Sequence, residues 1–124
     1  MSYIGKTHLT FIFKADAADV AEADRLFRSH NEWIGKTHHR NGEKALLTYN
    51  VSKGADLTEV LNPESAPSGK TVYVLDEIYE SPAGIADHWQ QAMTGWSDFQ
   101  AFVAWAQKCE PTAQHSGTVV NSLW

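Results

Sequence analysis

The chain has 124 residues, 43% of them apolar and 20% charged, with a formal net charge of −5. These values describe one water-soluble globular domain, 1–124, large enough to bury an ordinary core. The acidic balance, with both signs mixed along the chain, argues against nucleic acid or an anionic membrane as a partner. No apolar run approaches the ~18 residues of a membrane helix, so the expected location is cytoplasmic. The single cysteine, Cys109, excludes an intrachain disulfide and reads as a packed thiol.

In chain order, residues 3–14 are rich in Thr, Phe and Ile and predict a strand with both faces at least partly covered. Ala15 to His39 predicts a helix. Asp16 and Asp19 suit its positive N-terminal end, and Val20, Ala23, Leu26, Phe27, His30, Trp33, Ile34 and Thr37 recur at 3–4 spacing. Asn41-Gly42 supplies the stop. Residues 44–52 predict a second strand. From Lys53 to Lys70, with Gly54, Pro63, Pro67 and Gly69, the pattern predicts a loop insertion far longer than the usual ~4–6 residues, with Leu57, Val60 and Leu61 docking it back on the body. Thr71 to Glu80 predicts a third strand. Helical patterning runs from Pro82, weakens at Thr94-Gly95 and continues from Trp96 to Lys108. Thr118 to Trp124 predicts a short fourth strand. The order is β-α-β-β-α-β, an α+β ferredoxin-like arrangement with an antiparallel sheet.

Gly-Lys-Thr occurs at 5–7, 35–37 and 69–71. A phosphate loop needs a glycine five residues earlier, and His30 and Glu64 stand there for the second and third copies, while the first has no room for one. Six histidines raise the question of metal. None shows the i, i+4 spacing of a zinc helix; a metal site built from distant segments stays open, and the expectation is no metal and no organic cofactor. His38-His39-Arg40 reads as a solvated C-terminal turn whose cations suit the helix dipole.

What remains is an aromatic and imidazole set: His8, Phe11, His30, Trp33, Tyr49, Asn50, Tyr73, Tyr79, His88, Trp89, Trp96 and Trp105. His88 shares a helix face with Ile85, Trp89, Ala92 and Met93 and would look toward the sheet, where burial moves an imidazole pKa across neutrality. His8, Phe11, Trp33, Trp89 and Trp96 are expected to line a pocket for a flat, apolar or aromatic molecule. The bland reading of His88 is a hydrogen bond tying the helix to Tyr79 or Glu77.

One junction is more specific. Glu77-x-Tyr79 closes the third strand, Ser81-Pro82 opens the helix, the small pair Ala83-Gly84 precedes Ile85, and His88, Phe99 and Phe102 follow. This arrangement resembles the strand–helix signature of the antibiotic-biosynthesis-monooxygenase-like family of dimeric α+β barrels. The resemblance implies a homodimer whose second subunit covers the helix-free sheet face. It also implies a cofactor-independent oxygenase for phenolic or quinol-type compounds. His88 or His8 would then be the base, and Tyr49, Asn50 and Tyr79 would orient a phenolic oxygen. Two alternatives stand beside it: a non-catalytic small-molecule-binding or stress-associated dimer, and a member of the fold whose own aromatics fill the cavity.

Overall fold

Backbone hydrogen bonding in a computed structural model, which describes residues 2–124, joins four strands into one antiparallel sheet. Strand β1 is Thr7–Ala15, and one 3-10 turn at Ala17–Asp19 leads into α1, Val20–Thr37. Strands β2, Leu46–Leu57, and β3, Pro67–Tyr79, form a hairpin. Helices α2, Pro82–Gly95, and α3, Phe99–Gln107, precede β4, Thr112–Thr118. The sheet order β2-β3-β1-β4 is the ferredoxin-like arrangement expected from the element order.

Alternation along the strands decides which side chains meet the helices. In β1 and β3 the odd positions Leu9, Phe13, Tyr73, Leu75, Glu77 and Tyr79 are buried. They pack under Leu26, Phe27, Trp33 and Ile34 of α1, Ile85 and Ala92 of α2, and Phe102 and Trp105 of α3. Trp105 sits at the centre of this core, with its ring 4.9 Å from Phe13 and its indole N–H donated to the Asp19 carbonyl at 3.0 Å. Cys109 is fully buried beside it, as a packed thiol should be, and burial raises its pKa. The even positions face away from the helices: Ile12, Val72, Val74 and Ile78 alternate there with His8, Thr10, Asp76 and Asn50. The aromatic residues of β1 to β3 all lie on the helix side, so the open face is less apolar than the strand composition suggested.

Three boundaries differ from expectation. The 53–70 segment is mostly strand: Lys53 pairs with Tyr73, Gly54 with Val72 and Leu57 with Pro67. Only residues 58–66 form the tip, closed by Thr58 N–H to Ala66 O at 2.9 Å. Glycines at 54 and 69 broke the apolar alternation without breaking the ladder, since cross-strand backbone bonds do not need apolar side chains. Val60 and Leu61 do not dock on the body; they are 77% and 97% exposed. The fourth strand lies earlier, at Thr112–Thr118, because pairing with Phe11 and Ile12 of β1 sets it rather than its own almost wholly exposed side chains. Val119 adds two last bonds, to Gly5 and Lys6, before the chain leaves the sheet. Finally, α1 begins at Val20 because the 3-10 turn takes up Ala17–Asp19.

The β3–α2 junction places the candidate site and is built as its sequence suggests. Ser81 caps α2, accepting from Ala83 N–H at 3.2 Å, and Pro82 fills the first turn, where its missing N–H costs nothing. Gly84 lets the helix press onto Tyr79: a Cβ there would stand 2.5 Å from Tyr79 Cδ1 and 3.0 Å from the Lys44 carbonyl oxygen. Gly84→Ala should therefore cost about 1–3 kcal/mol by overpacking, read as a lowered denaturation midpoint. An unchanged midpoint would mean that the Tyr79 ring moves aside freely.

Candidate functional site

Three histidines, a glutamate and two tyrosines meet between the helices and the sheet. His30 comes from α1, His88 from α2, Glu77 and Tyr79 from β3, and Tyr49 from β2. His38 follows α1, where an extended backbone turns the chain back over the helix end. Glu77 is 0% exposed, and His30 and His88 are each 3% exposed.

The cluster is wired in pairs. Tyr79 donates its hydroxyl to Glu77 Oε1 at 2.6 Å, while Glu77 Oε2 is buried with no hydrogen-bond partner. His30 Nδ1 and the Tyr49 hydroxyl are 2.8 Å apart, and His38 Nε2 and His88 Nδ1 are 2.9 Å apart. On the far side of His38, Nδ1 lies 2.9 Å from Thr37 Oγ1, which donates to the Trp33 carbonyl at 2.8 Å. One tautomer assignment satisfies all three contacts: His38 carries its proton on Nδ1, and His88 donates Nδ1–H to His38 Nε2. That leaves the Nε2 lone pair of a neutral His88 without a protein donor.

Burial sets the charge states. Desolvation holds His30 down to about 3, helped by repulsion from His38, and holds His38 down to about 4, partly opposed by Asp87. The same cause, with repulsion from His30 and His38, takes His88 far below the usual imidazole range. Burial lifts Glu77 to about 7 against the lowering effect of the Tyr79 hydrogen bond, and both Tyr49 and Tyr79 are raised, first by burial and then by the Glu77 charge. The 3.8 Å gap between His88 Nδ1 and Glu77 Oε1 is too long for a hydrogen bond. With His88 held neutral, the contact is not an ion pair.

Aromatic rings enclose the cluster. Trp33 stacks on Trp96 at 5.5 Å, Trp96 lies 5.1 Å from His30, and Trp89 lies 5.1 Å from His88 and 6.0 Å from Phe11. The internal cavity that His30 and His88 share with Phe11, Trp89, Trp96, Phe99 and Phe102 is about 10 Å³, near the ~10–15 Å³ that one water requires. A larger groove, about 300 Å³, runs between the end of α1 and strand β2 and is lined by Ile34, His38, Arg40, Leu46, Thr48 and Tyr49. It reaches the lower end of the usual ~300–1,000 Å³ range for small-molecule sites. His38 and Tyr49 belong both to this groove and, by hydrogen bonds, to the buried cluster.

Of the residues singled out from the sequence, His88, Tyr49, Tyr79, Phe11, Trp33, Trp89 and Trp96 are brought together here. His8 and Asn50 are not. Both are on even positions of their strands and face the opposite side of the sheet, where His8 Nε2 pairs with Asp76 and Asn50 is exposed. The tie expected from His88 to Tyr79 or Glu77 goes instead to His38, which is half-buried rather than part of a solvated turn. His30, a member of the aromatic and imidazole set on the apolar stripe of α1, joins the cluster. Two members of the cluster were not among the expected site residues: His38, and Glu77, a carboxylate at an inward strand position. His30, Glu77 and His88 each offer one donor atom within 4.8 Å of the others, an arrangement that could hold a metal ion.

No protein-family model and no curated protein matches the chain. A solved structure does: a protein from Caulobacter crescentus CB15, provisionally described as an antibiotic biosynthesis monooxygenase, superposes with a TM-score of 0.57 over 97% of this chain and 94% of that one. The two share a fold. At 18% identity the likeness is one of architecture, and it is the architecture that the Glu77–Phe102 resemblance implied. No helix among the described residues is long and apolar enough to cross a membrane.

Proposed function

We propose that the chain is a cofactor-independent monooxygenase that takes an electron-rich phenol or quinol in the groove between α1 and β2. The observation that supports this most is that two of the groove's polar wall groups, Tyr49 and His38, are hydrogen-bonded directly to buried neutral imidazoles, those of His30 and His88. A substrate hydroxyl meeting Tyr49 gives up its proton as the Tyr49 phenol passes its own to His30 Nδ1. Ionised Glu77, with an oxygen within 4.8 Å of a His30 nitrogen, offsets the burial that holds His30 down. His88 holds His38 in position and keeps that wall of the groove uncharged. The phenolate so formed is electron-rich enough to pass an electron to O₂, and the rings around the buried cluster keep water from His30 and His88. A second copy of the chain covers the helix-free sheet face in this reading and closes the barrel. Sedimentation at micromolar concentration should then show a dimer.

The test is oxygen uptake by metal-stripped protein supplied with hydroquinones and polycyclic phenols. Uptake that saturates with substrate and depends on the protein is expected; its absence across the series would leave a binding protein. The interior cavity beside His88, at about 10 Å³, instead favours the remaining alternative, a member of the fold whose own aromatics fill that space.

A further inference from the structure

We propose that His30, Glu77 and His88 form a binding site for a single divalent first-row transition-metal ion. The inference goes beyond the proposed oxygenase reading and does not rest on it.

Two imidazoles and a carboxylate are the donors that suit Zn(II), Fe(II) or Co(II), and three protein ligands leave positions open on the ion. One donor atom from each side chain already lies within 4.8 Å of the others, and His88 Nδ1 stands 3.8 Å from Glu77 Oε1. Bond lengths of ~2.0–2.2 Å place ligand atoms ~3–4 Å apart around such an ion, so closure asks for side-chain rotations that bring Nε2 of both rings and Glu77 Oε2 to that spacing.

The independent sign is Glu77 Oε2. A carboxylate oxygen on a fully buried side chain with no partner is rare, because it loses its hydration and gains no hydrogen bond in exchange. Each ligand is also held from behind. Tyr79 binds Glu77 Oε1, the Tyr49 hydroxyl lies against His30 Nδ1, and His38 lies against His88 Nδ1. The remaining atoms, Glu77 Oε2 and Nε2 of both rings, make no hydrogen bond among the described residues. Outer partners of this kind fix the tautomer and direction of metal-ligating side chains. The small cavity that His30 and His88 share lies beside them.

An ion on His30 Nε2 would hold that ring as its Nδ1–H tautomer, donating to Tyr49. A loaded site and the proton path through His30 therefore exclude each other, and the test is made by binding, without substrate. Co(II) and Zn(II) are titrated into the tag-free chain, followed by calorimetry and by tryptophan emission. Co(II) should quench that emission, because Trp96 lies 5.1 Å from His30 and Trp33 lies 5.5 Å from His88. One equivalent per chain is expected, unaffected by His8→Ala on the opposite sheet face. Binding should weaken more than roughly 100-fold in Glu77→Gln, beyond the ~10–100-fold that loss of an outer partner brings. His30→Asn serves the same purpose should Glu77→Gln fail to fold. Absence of saturable binding to the parent chain, or binding that survives these substitutions, overturns the site. Neither result bears on oxygen uptake by the metal-stripped protein, so the two readings fail separately.

Discussion

Tyr49→Phe should lower turnover of a phenolic substrate by roughly 10²–10⁴-fold, the usual contribution of a positioned proton-transfer group. The ring and its place in the groove wall survive the change, so KM should move little and the loss should fall on kcat. Removing the hydroxyl leaves His30 Nδ1 without its 2.8 Å partner, which costs about 1–3 kcal/mol of stability. The informative comparison is with His88→Gln, whose amide can still donate to His38 Nε2. If the proton leaves through Tyr49 and His30, that variant keeps most of its rate. If His88 is itself the base, through the Nε2 lone pair left free by its bond to His38, His88→Gln is the slow variant and Tyr49→Phe the active one. Steady-state oxygen uptake on the two proteins decides between the routes.

Much of the frame behind this site was legible in the sequence, for identifiable reasons. The 3–4 spacing of Ala23, Leu26, Phe27, His30, Trp33 and Ile34 is the buried stripe of α1, and all six are buried. Ser81-Pro82 announced the start of α2 through chemistry confined to the residues themselves. Where the elements depend on partners, the sequence said less. Strand β4 carries almost no buried side chain and exists because β1 offers it an edge, so no apolar alternation marks it. The outer part of the β2–β3 hairpin is held in the same way, by backbone pairing through exposed positions.

The site was legible by chemistry but not by side. His8, Asn50, Tyr49 and Tyr79 were all reasonable polar candidates, and parity along the strands separates them: Tyr49 pairs opposite Glu77, Asn50 opposite Asp76. The irregularity between Leu46 and Thr48 shifts that parity along β2, and no composition reveals such a bulge. Glu77 was visible as part of the strand ending, but its burial depends on α2 closing over it. His38 stands eight residues after His30 and becomes its neighbour in the cluster only because the chain leaves α1 in an extended conformation.

The cost of keeping Glu77 where it is should be measurable as a pH-dependent difference between the parent and Glu77→Gln. The glutamate's folded pKa, raised by burial to about 7, lies above its ordinary value of 4.5. Below pH 4.5 the carboxyl is protonated in both states and makes no pH-dependent contribution. As pH rises, the unfolded chain releases the proton first, so the folded state becomes relatively less stable until Glu77 ionises near pH 7. The accumulated loss is on the order of 3 kcal/mol. The buried histidines act in the opposite sense. His30, His38 and His88 have lowered folded values, so their contribution is present above pH 6.5 and is lost as pH falls. They remain in both proteins, however, and largely cancel in the comparison. Glu77→Gln keeps an acceptor for Tyr79 and removes the ionisation. It should therefore gain on the parent by about 3 kcal/mol between pH 4.5 and pH 7.5 in denaturant unfolding, whatever the offset from its own buried amide. A pH-independent difference would place the Glu77 carboxyl in contact with water. A gain of the expected size means that the chain carries, at neutral pH, an acidic group that works against its own fold. Such a cost is characteristic of residues kept for what they bind or transfer rather than for packing.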